Sequence, residues 1–134
     1  MNSLGDGDYA RLLSFRDGLR RFQHWSEQQA REVGLTPSHH QLLLAIRGHG
    51  SAPSIGDIAT HLLLKHHSAV ELVDRAVAAG LVARVADPDD QRVVRLALTT
   101  DGSDRLEALS AQHLAELKRL RAGNDALWAD LPGG

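Results

Sequence analysis

The sequence predicts a mainly helical domain with one small β-hairpin. Two long segments in which apolar residues recur at helical spacing stand near the ends of the chain, and shorter helical patterns lie between them. Alternating and β-branched runs occur only around residues 81–98. Because aromatic residues make up 4% of the chain, the core must consist mostly of Leu, Ala and Val, a composition that favours helices.

Length and composition exclude several classes of protein. A chain of 134 residues is expected to form one domain, residues 1–134, with a sizeable core. It contains no cysteine, which excludes disulfides, thiolate nucleophiles and cysteine-ligated zinc. No apolar run has the length of a membrane span, and residues 1–10 do not resemble a signal peptide. We therefore expect a cytoplasmic protein without a membrane partner.

The first helical pattern covers residues 8–33 and the last covers residues 100–131, with a break expected at Gly123-Asn124. Each carries a long apolar stripe. The stripe residues are Leu12, Phe15, Leu19 and Phe22 in the first helix and Leu106, Leu109, Leu117 and Leu120 in the last. Because these stripes exceed what one small domain can cover, we expect them to be dimerisation helices that pack against a second copy of the chain. Packing within one chain is the alternative.

Capping signals mark the starts of two shorter helices. Thr36 is a good N-cap, and Pro37 follows at the first helical position, where its missing N–H costs nothing. Ser54 with Asp57 three residues later forms a capping box for the third helix. The residues expected to face inward from that helix are Ile58, Ala59, Leu62 and Leu63.

A helix-turn-helix followed by a hairpin is expected over residues 36–99. The fourth helix begins near Lys65, and Gly80 ends it. Two strand-like runs, residues 81–85 and 93–98, then flank a long charged turn. A two-stranded hairpin is not stable by itself, so it must lean on the helices. Helix, turn, helix and hairpin in this order predict a winged helix-turn-helix between the two long terminal helices.

Three segments of the chain, in order, match the pattern of a single protein family. They are Leu35-Thr36-Pro37 with Gln41-Leu42-Leu43, Leu72-Val73-Asp74-Arg75 with Gly80-Leu81-Val82, and Asp87-Pro88-Asp89-Asp90-Gln91-Arg92 with Leu96-Ala97-Leu98-Thr99 and Gly102. Together they resemble the MarR family of bacterial transcriptional regulators over residues 8–130. The resemblance implies a ligand-responsive repressor that binds a palindromic operator in double-stranded DNA as a homodimer. It also implies a small aromatic or lipophilic ligand.

The expected DNA contacts lie in the fourth helix and in the wing. They are Lys65, His66, His67, Ser68 and Glu71 in the helix and Arg84, Asp90 and Arg92 in the wing. The free N–H groups at a helix N-terminus favour phosphate, and an arginine on a wing tip, here oriented by Asp90, can enter a narrow minor groove. Glu71 can accept from a cytosine amine but repels phosphate. The alternative for His66 and His67 is that they are only solvated.

Charge by itself gives no support for nucleic-acid binding. The net charge is −2 at pH 7 with neutral histidines. The segment from His61 to Arg95 contains five Lys and Arg residues and also five Asp and Glu residues. Part of this acid is expected to pair internally, for instance Asp74 or Asp90 with an arginine. Affinity for DNA should be modest and strongly salt-dependent. With Gln91 at a wing position where the family often has Arg, an alternative remains: a winged-helix interaction module that has lost operator binding.

The histidine content is unusual: the chain has eight histidines, most of them within residues 39–67. No spacing specific for zinc occurs, so we expect no metal ion and no cofactor. His24 and His113, one on each long helix, are candidates to line a pocket between those helices. The chain has no Gly-rich phosphate loop and no nucleophile with an organised base, so we expect no enzyme activity.

Overall fold

The structure is a computed structural model and describes residues 3–128. The elements within these residues are α1 (Asp6–Glu32), α2 (Pro37–Gly48), α3 (Ile55–Leu62), α4 (His66–Ala78), β1 (Val82–Ala86), β2 (Val94–Leu98) and α5 (Thr100–Trp128). The predicted fold class is confirmed: a winged helix-turn-helix lies between two long helices. Both predicted caps form, since the Thr36 hydroxyl accepts from the His39 N–H over 3.0 Å and Ser54 with Asp57 makes a capping box.

The core lies where α2, α3 and α4 meet the hairpin and the first turns of α5. The large side chains that are fully buried there are Leu42, Leu43, Ile58, Val73, Leu96 and Leu109. Most of them come from the helix-turn-helix itself, and burying a side chain of this size stabilises a fold by roughly 1.5–3 kcal/mol. The winged unit is therefore a rigid base for the residues on its surface.

The hairpin is attached to the helices through the chain that precedes α3. β1 and β2 pair antiparallel, with Val82 opposite Leu98 and Ala86 opposite Val94. On the other edge of β2, the Leu96 N–H donates to the Pro53 carbonyl over 2.8 Å. The segment before α3 thus satisfies part of the edge that β2 would otherwise leave open.

Thr99 and Gly102 join the end of the hairpin to α5 without a flexible linker. The Thr99 hydroxyl donates to the Gly80 carbonyl over 2.6 Å and accepts from the Gly102 N–H over 3.0 Å. A methyl group added to Gly102 would overlap the carbonyl oxygen of Leu81, so α5 begins pressed against the backbone just before β1.

The apolar stripes of the terminal helices are only partly covered within one chain. Leu106 and Leu109 on α5 are buried, at 4% and 0% exposure. The stripe and flanking residues that remain between 44% and 60% exposed are Leu12, Leu13, Phe15, Leu19, Leu114 and Leu117. Packing within one chain therefore accounts for the inner half of the stripes and leaves the outer half uncovered.

Two local predictions are wrong. Leu63 does not face inward: it is 91% exposed and has a left-handed φ of 54° at the end of α3. The chain must reverse there, and Leu64 takes the inward position instead. The last helix also does not break at Gly123-Asn124, since α5 continues to Trp128; glycine weakens a helix by only about 1 kcal/mol and need not end it. Residues 129–131 of the predicted helix lie outside the described residues.

Candidate nucleic-acid interface

One face of α4 is buried and the opposite face is open. Ala69, Leu72, Val73 and Ala76 pack into the core. Lys65 is the N-cap residue, and its side chain makes no capping hydrogen bond. Because the N-cap side chain does not occupy them, the backbone N–H groups of the first turn of α4 are available to an anion. Helix N-termini commonly bind anions in this way.

The structure brings the five predicted residues of α4 to this open end and face. Lys65, His66, His67 and Glu71 are exposed, and Ser68 is half-buried. Histidine N–H groups and a serine hydroxyl can donate to phosphate or to base edges. These side chains form a compact polar surface around the first two turns of the helix.

Arg84 reaches α4 from the neighbouring strand. Its Nη2 donates to the Asp74 Oδ1 in an ion pair between β1 and α4. The predicted internal pairing of Asp74 with an arginine is thus present. Its partner, Arg84, is also one of the predicted DNA contacts. Arg84 therefore fixes the hairpin against α4 as well as carrying charge near its surface.

The turn at the wing tip is organised by Asp87. Its Oδ1 accepts from the backbone N–H groups of Asp89, over 2.8 Å, and Asp90, over 3.0 Å, while its Oδ2 accepts from Arg95 Nε over 2.9 Å. The Asp89 N–H, followed by the Arg95 guanidinium, holds the pKa of Asp87 below its usual value. The carboxylate is therefore ionised at neutral pH and closes the turn from inside.

Arg92 extends from this turn into solvent. Its Nε donates to Asp90 Oδ1 over 3.0 Å and its Nη2 to Asp90 Oδ2 over 3.2 Å, a two-point contact that fixes the plane of the guanidinium. The arginine hydrogen bonds also lower the pKa of Asp90. With its side chain 91% exposed, Arg92 is positioned but remains accessible.

A row of polar groups that the sequence did not predict connects the wing to α2 and α3. Arg95 Nη1 lies 3.9 Å from Asp57 Oδ2, and the same oxygen lies 3.5 Å from His49 Nε2. His49 Nδ1 is in turn 2.9 Å from His61 Nε2, so the two rings share a hydrogen bond. Among residues 3–128, no group of three or more side chains is arranged to hold a metal ion.

A cavity of about 330 Å³ lies between α1, α2 and α5. Its lining includes Phe22, His40, Leu44 and His113, so the prediction that His113 lines a pocket agrees with its position. His24 is absent from the lining; it is exposed and bonded to the Gln28 side chain.

His113 and His40 are fixed in this cavity by different means. His113 Nδ1 donates to the Leu109 carbonyl over 2.9 Å, and its Nε2 lies 2.7 Å from the Ser26 hydroxyl. The ring centroid of His40 is 4.9 Å from that of His113. Burial, and then the charge of His113, lowers the pKa of His40. The cavity thus combines apolar side chains with two imidazoles and with polar groups that include the Glu27 carboxylate.

Comparison with known proteins finds similarity to one family. Residues 33–93 match the model of the MarR family. The HTH-type transcriptional repressor MdtR from Bacillus subtilis (strain 168) is 27% identical over 107 residues, which cover 80% of this chain and 68% of MdtR. The helix-turn-helix and the wing are therefore similar to those of MarR-family transcriptional regulators.

Solved MarR-family structures have the same fold. AbsC, a MarR family transcriptional regulator from Streptomyces coelicolor, is 20% identical, with a TM-score of 0.71 and 100% coverage of both chains. A mutant of MepR from S. aureus bound to an oligodeoxyribonucleotide is 19% identical, with a TM-score of 0.66, over 90% of this chain and 84% of MepR. In the part of the chain that the structure describes, no helix has the length and hydropathy needed to cross a membrane.

Proposed function

We propose that the chain is a MarR-family transcriptional regulator that binds a palindromic operator in double-stranded DNA as a homodimer in the cytoplasm, and that a small ligand controls the binding. The observation that carries the proposal is the wing tip. Arg92 is 91% exposed, yet Asp90 holds its guanidinium at two points. A cation displayed in this way suits the narrow minor groove, where negative potential is enhanced.

The open end of α4 is proposed to enter the adjacent major groove. Lys65, His66, His67 and Ser68 would donate to phosphate and base edges, since all four lie in or next to the first turn. Arg84 and Asp90 act mainly through other residues, Arg84 by holding the hairpin against α4 and Asp90 by orienting Arg92. The oligodeoxyribonucleotide bound to MepR, which shares this fold, supports a DNA partner.

A second copy of the chain is the proposed cover for the outer stripes of α1 and α5. Leu12, Leu19, Leu114 and Leu117 are exposed on these helices, and contiguous apolar surface of this kind marks an interface. Two winged units held by such a dimer would meet successive major grooves, about 34–36 Å apart. Because MdtR is named a repressor, we propose repression as the mode of regulation.

The cavity beside His40 and His113 is the proposed ligand site. The aromatic and apolar side chains in its lining, Phe22 and Leu44, suit an aromatic or lipophilic ligand, and the His40 ring can donate a hydrogen bond to it. The cavity lies where α1, α2 and α5 meet, so a ligand there would bear on the course of the long helices, which set the distance between the two winged units of a dimer. A ligand that binds better to the conformation without DNA would release the operator.

Charge balance supports a second candidate, a winged-helix interaction module without operator binding. Between His61 and Arg95 the counts of basic and acidic residues are equal, and Arg84, Arg92 and Arg95 each engage a carboxylate. Such a surface attracts phosphate only weakly at a distance.

Selection of bound fragments from random and genomic duplex DNA distinguishes the two candidates. Operator binding predicts an enriched palindrome whose half-sites are one helical turn apart, about 10–10.5 base pairs. Sedimentation equilibrium should give a dimer of 14.5 kDa chains. If no sequence is enriched and the only binding is weak and lost with moderate salt, the interaction module is favoured.

A further inference from the structure

The open face of α4 presents an acidic side chain at its centre. His67, Glu71 and Asp74 recur at steps of four and three, on the side of the helix opposite the buried Leu72 and Val73. Glu71 is exposed and lies in the middle turns of the helix. Any groove that α4 enters must therefore accommodate this carboxylate.

Neighbouring carboxylates of the winged unit are neutralised by arginine, but Glu71 is not. Asp74 pairs with Arg84, and Asp87 in the turn at the wing tip pairs in the same way with Arg95. Among residues 3–128, no ion pair or side-chain hydrogen bond is present at Glu71. Between the start of α4 and the end of β2, the only other carboxylate in this situation is that of Asp89 at the wing tip.

Arg75, one turn after Glu71, is not its partner. The charge of Arg75 contributes, after burial, to lowering the pKa of His39 on α2. Within the described residues the Glu71 carboxylate forms no ion pair with Arg75, although this arginine stands at the spacing that usually allows one.

When α4 enters a groove and this carboxylate loses water, a hydrogen-bond donor on the DNA is the partner that can replace that water. In the major groove the exocyclic amines of cytosine and adenine are donors, whereas guanine and thymine present acceptors that repel a carboxylate. Adenine also places its N7 acceptor beside the amine, while cytosine has no acceptor on the same edge. The chemistry therefore favours cytosine.

We propose that Glu71 is a specificity-determining residue that accepts a hydrogen bond from the N4 amine of a cytosine in each operator half-site. The inference rests on the proposed operator binding. The same carboxylate repels phosphate, so it weakens binding to DNA that lacks cytosine at that position. Glu71 thus raises the ratio of specific to non-specific affinity at some cost in total affinity.

The test compares wild type with Glu71→Gln, using Glu32→Gln as a matched control because Glu32 is an exposed carboxylate on α1. Each protein is taken through the same selection from random duplex DNA. Affinities are then measured for the enriched operator and for duplexes in which single base pairs are exchanged. The proposal predicts one position per half-site where changing C·G to T·A weakens wild-type binding about tenfold.

Glu71→Gln should lose this discrimination, to about threefold or less, at that position only, because glutamine pairs best with adenine. It should also bind random DNA more tightly than wild type, and Glu32→Gln should behave as wild type. Uniformly tighter binding by Glu71→Gln with every base preference unchanged would overturn the inference while leaving operator binding intact. If wild type enriches no sequence, operator binding itself is wrong and the role of Glu71 is rejected with it.

Discussion

Arg95 Nε donates to Asp87 Oδ2 over 2.9 Å, and this ion pair joins the second strand of the wing to the turn at its tip. The other oxygen of Asp87 accepts two backbone N–H groups of the same turn. Arg95 also lies 3.9 Å from Asp57, which caps α3. One arginine therefore relates the position of the wing tip to the helix-turn-helix.

Asp87→Asn should reduce the loss of stability in acid. The pKa of Asp87 is lowered in the folded protein by the Asp89 N–H and then by Arg95. As pH falls, the unfolded chain binds the proton first, so the stabilisation is complete above the unfolded pKa of about 4 and is lost as pH falls through the lower folded value. Thermal unfolding between pH 6 and 3 should show a shallower decline for Asp87→Asn than for wild type. The exposed Asp104→Asn is the control, and equal slopes for Asp87→Asn and wild type would contradict the assignment.

Arg92→Ala should abolish detectable specific DNA binding and leave the dimer and the fold intact. Each dimer would lose two minor-groove contacts, while the side chain removed is 91% exposed and touches no core residue. A mobility-shift titration measures the affinity, and circular dichroism checks the fold. Arg119→Ala is the matched control, since Arg119 is an exposed arginine on α5 that likewise pairs with a carboxylate. Operator affinity that survives in Arg92→Ala would remove the wing from the interface.

Gly102→Ala should destabilise the fold by about 1–3 kcal/mol, even though alanine favours helices. The added methyl group would collide with the Leu81 carbonyl oxygen, which is backbone and cannot turn aside. Chemical denaturation measures the change in the free energy of unfolding. Gly56→Ala is the control, because its methyl group meets only the Ser54 hydroxyl at 3.7 Å. Equal stability of the two variants would mean that α5 can move away from Leu81 without cost.

Leu19→Asp should weaken the proposed dimer at least tenfold. A carboxylate placed in an apolar interface loses hydration without gaining a partner. Sedimentation equilibrium over a range of concentrations gives the dissociation constant. Leu63→Asp is the control, since Leu63 is 91% exposed but lies at the helix-turn-helix and not on the stripes. An unchanged dimer in Leu19→Asp would place the dimer interface elsewhere, and a monomeric wild type would favour the alternative in which the stripes pack within one chain.

Removing the His66 and His67 rings should weaken operator binding. Both side chains are exposed in the first turn of α4, where their ring N–H groups can donate to phosphate or to base edges. A mobility-shift titration compares wild type with the double variant His66→Ala/His67→Ala, and with His24→Ala as control. Equal affinity of all three proteins would mean that His66 and His67 are only solvated.

Local signals in the sequence predicted most of the fold. The Thr36 cap, the Ser54–Asp57 box and the Asp90–Arg92 pair all act within three residues, so their geometry is nearly independent of the rest of the chain. The resemblance to one family supplied the order of elements and the wing. Leu63 was misplaced because apolar spacing does not reveal where the chain must turn back.

The parts that escaped prediction depend on distant residues. Arg95 meets Asp57 across 38 positions of sequence, and His49 meets His61 across 12. Gly102 could be noted as part of a motif, but its contact with Leu81 exists only once α5 packs against the end of α4. Such contacts are products of tertiary packing, which periodicity and capping rules do not describe.

The tight junction at Thr99 and Gly102 holds the winged unit in a fixed orientation relative to α5. Because the Thr99 hydroxyl binds the Gly80 carbonyl and receives the Gly102 N–H, α4 and α5 cannot swivel independently. In a dimer built on α1 and α5, the distance between the two winged units would be set by the long helices alone. Changing that distance would then require bending α5 or sliding the two chains past each other, and no movement of a loop would suffice.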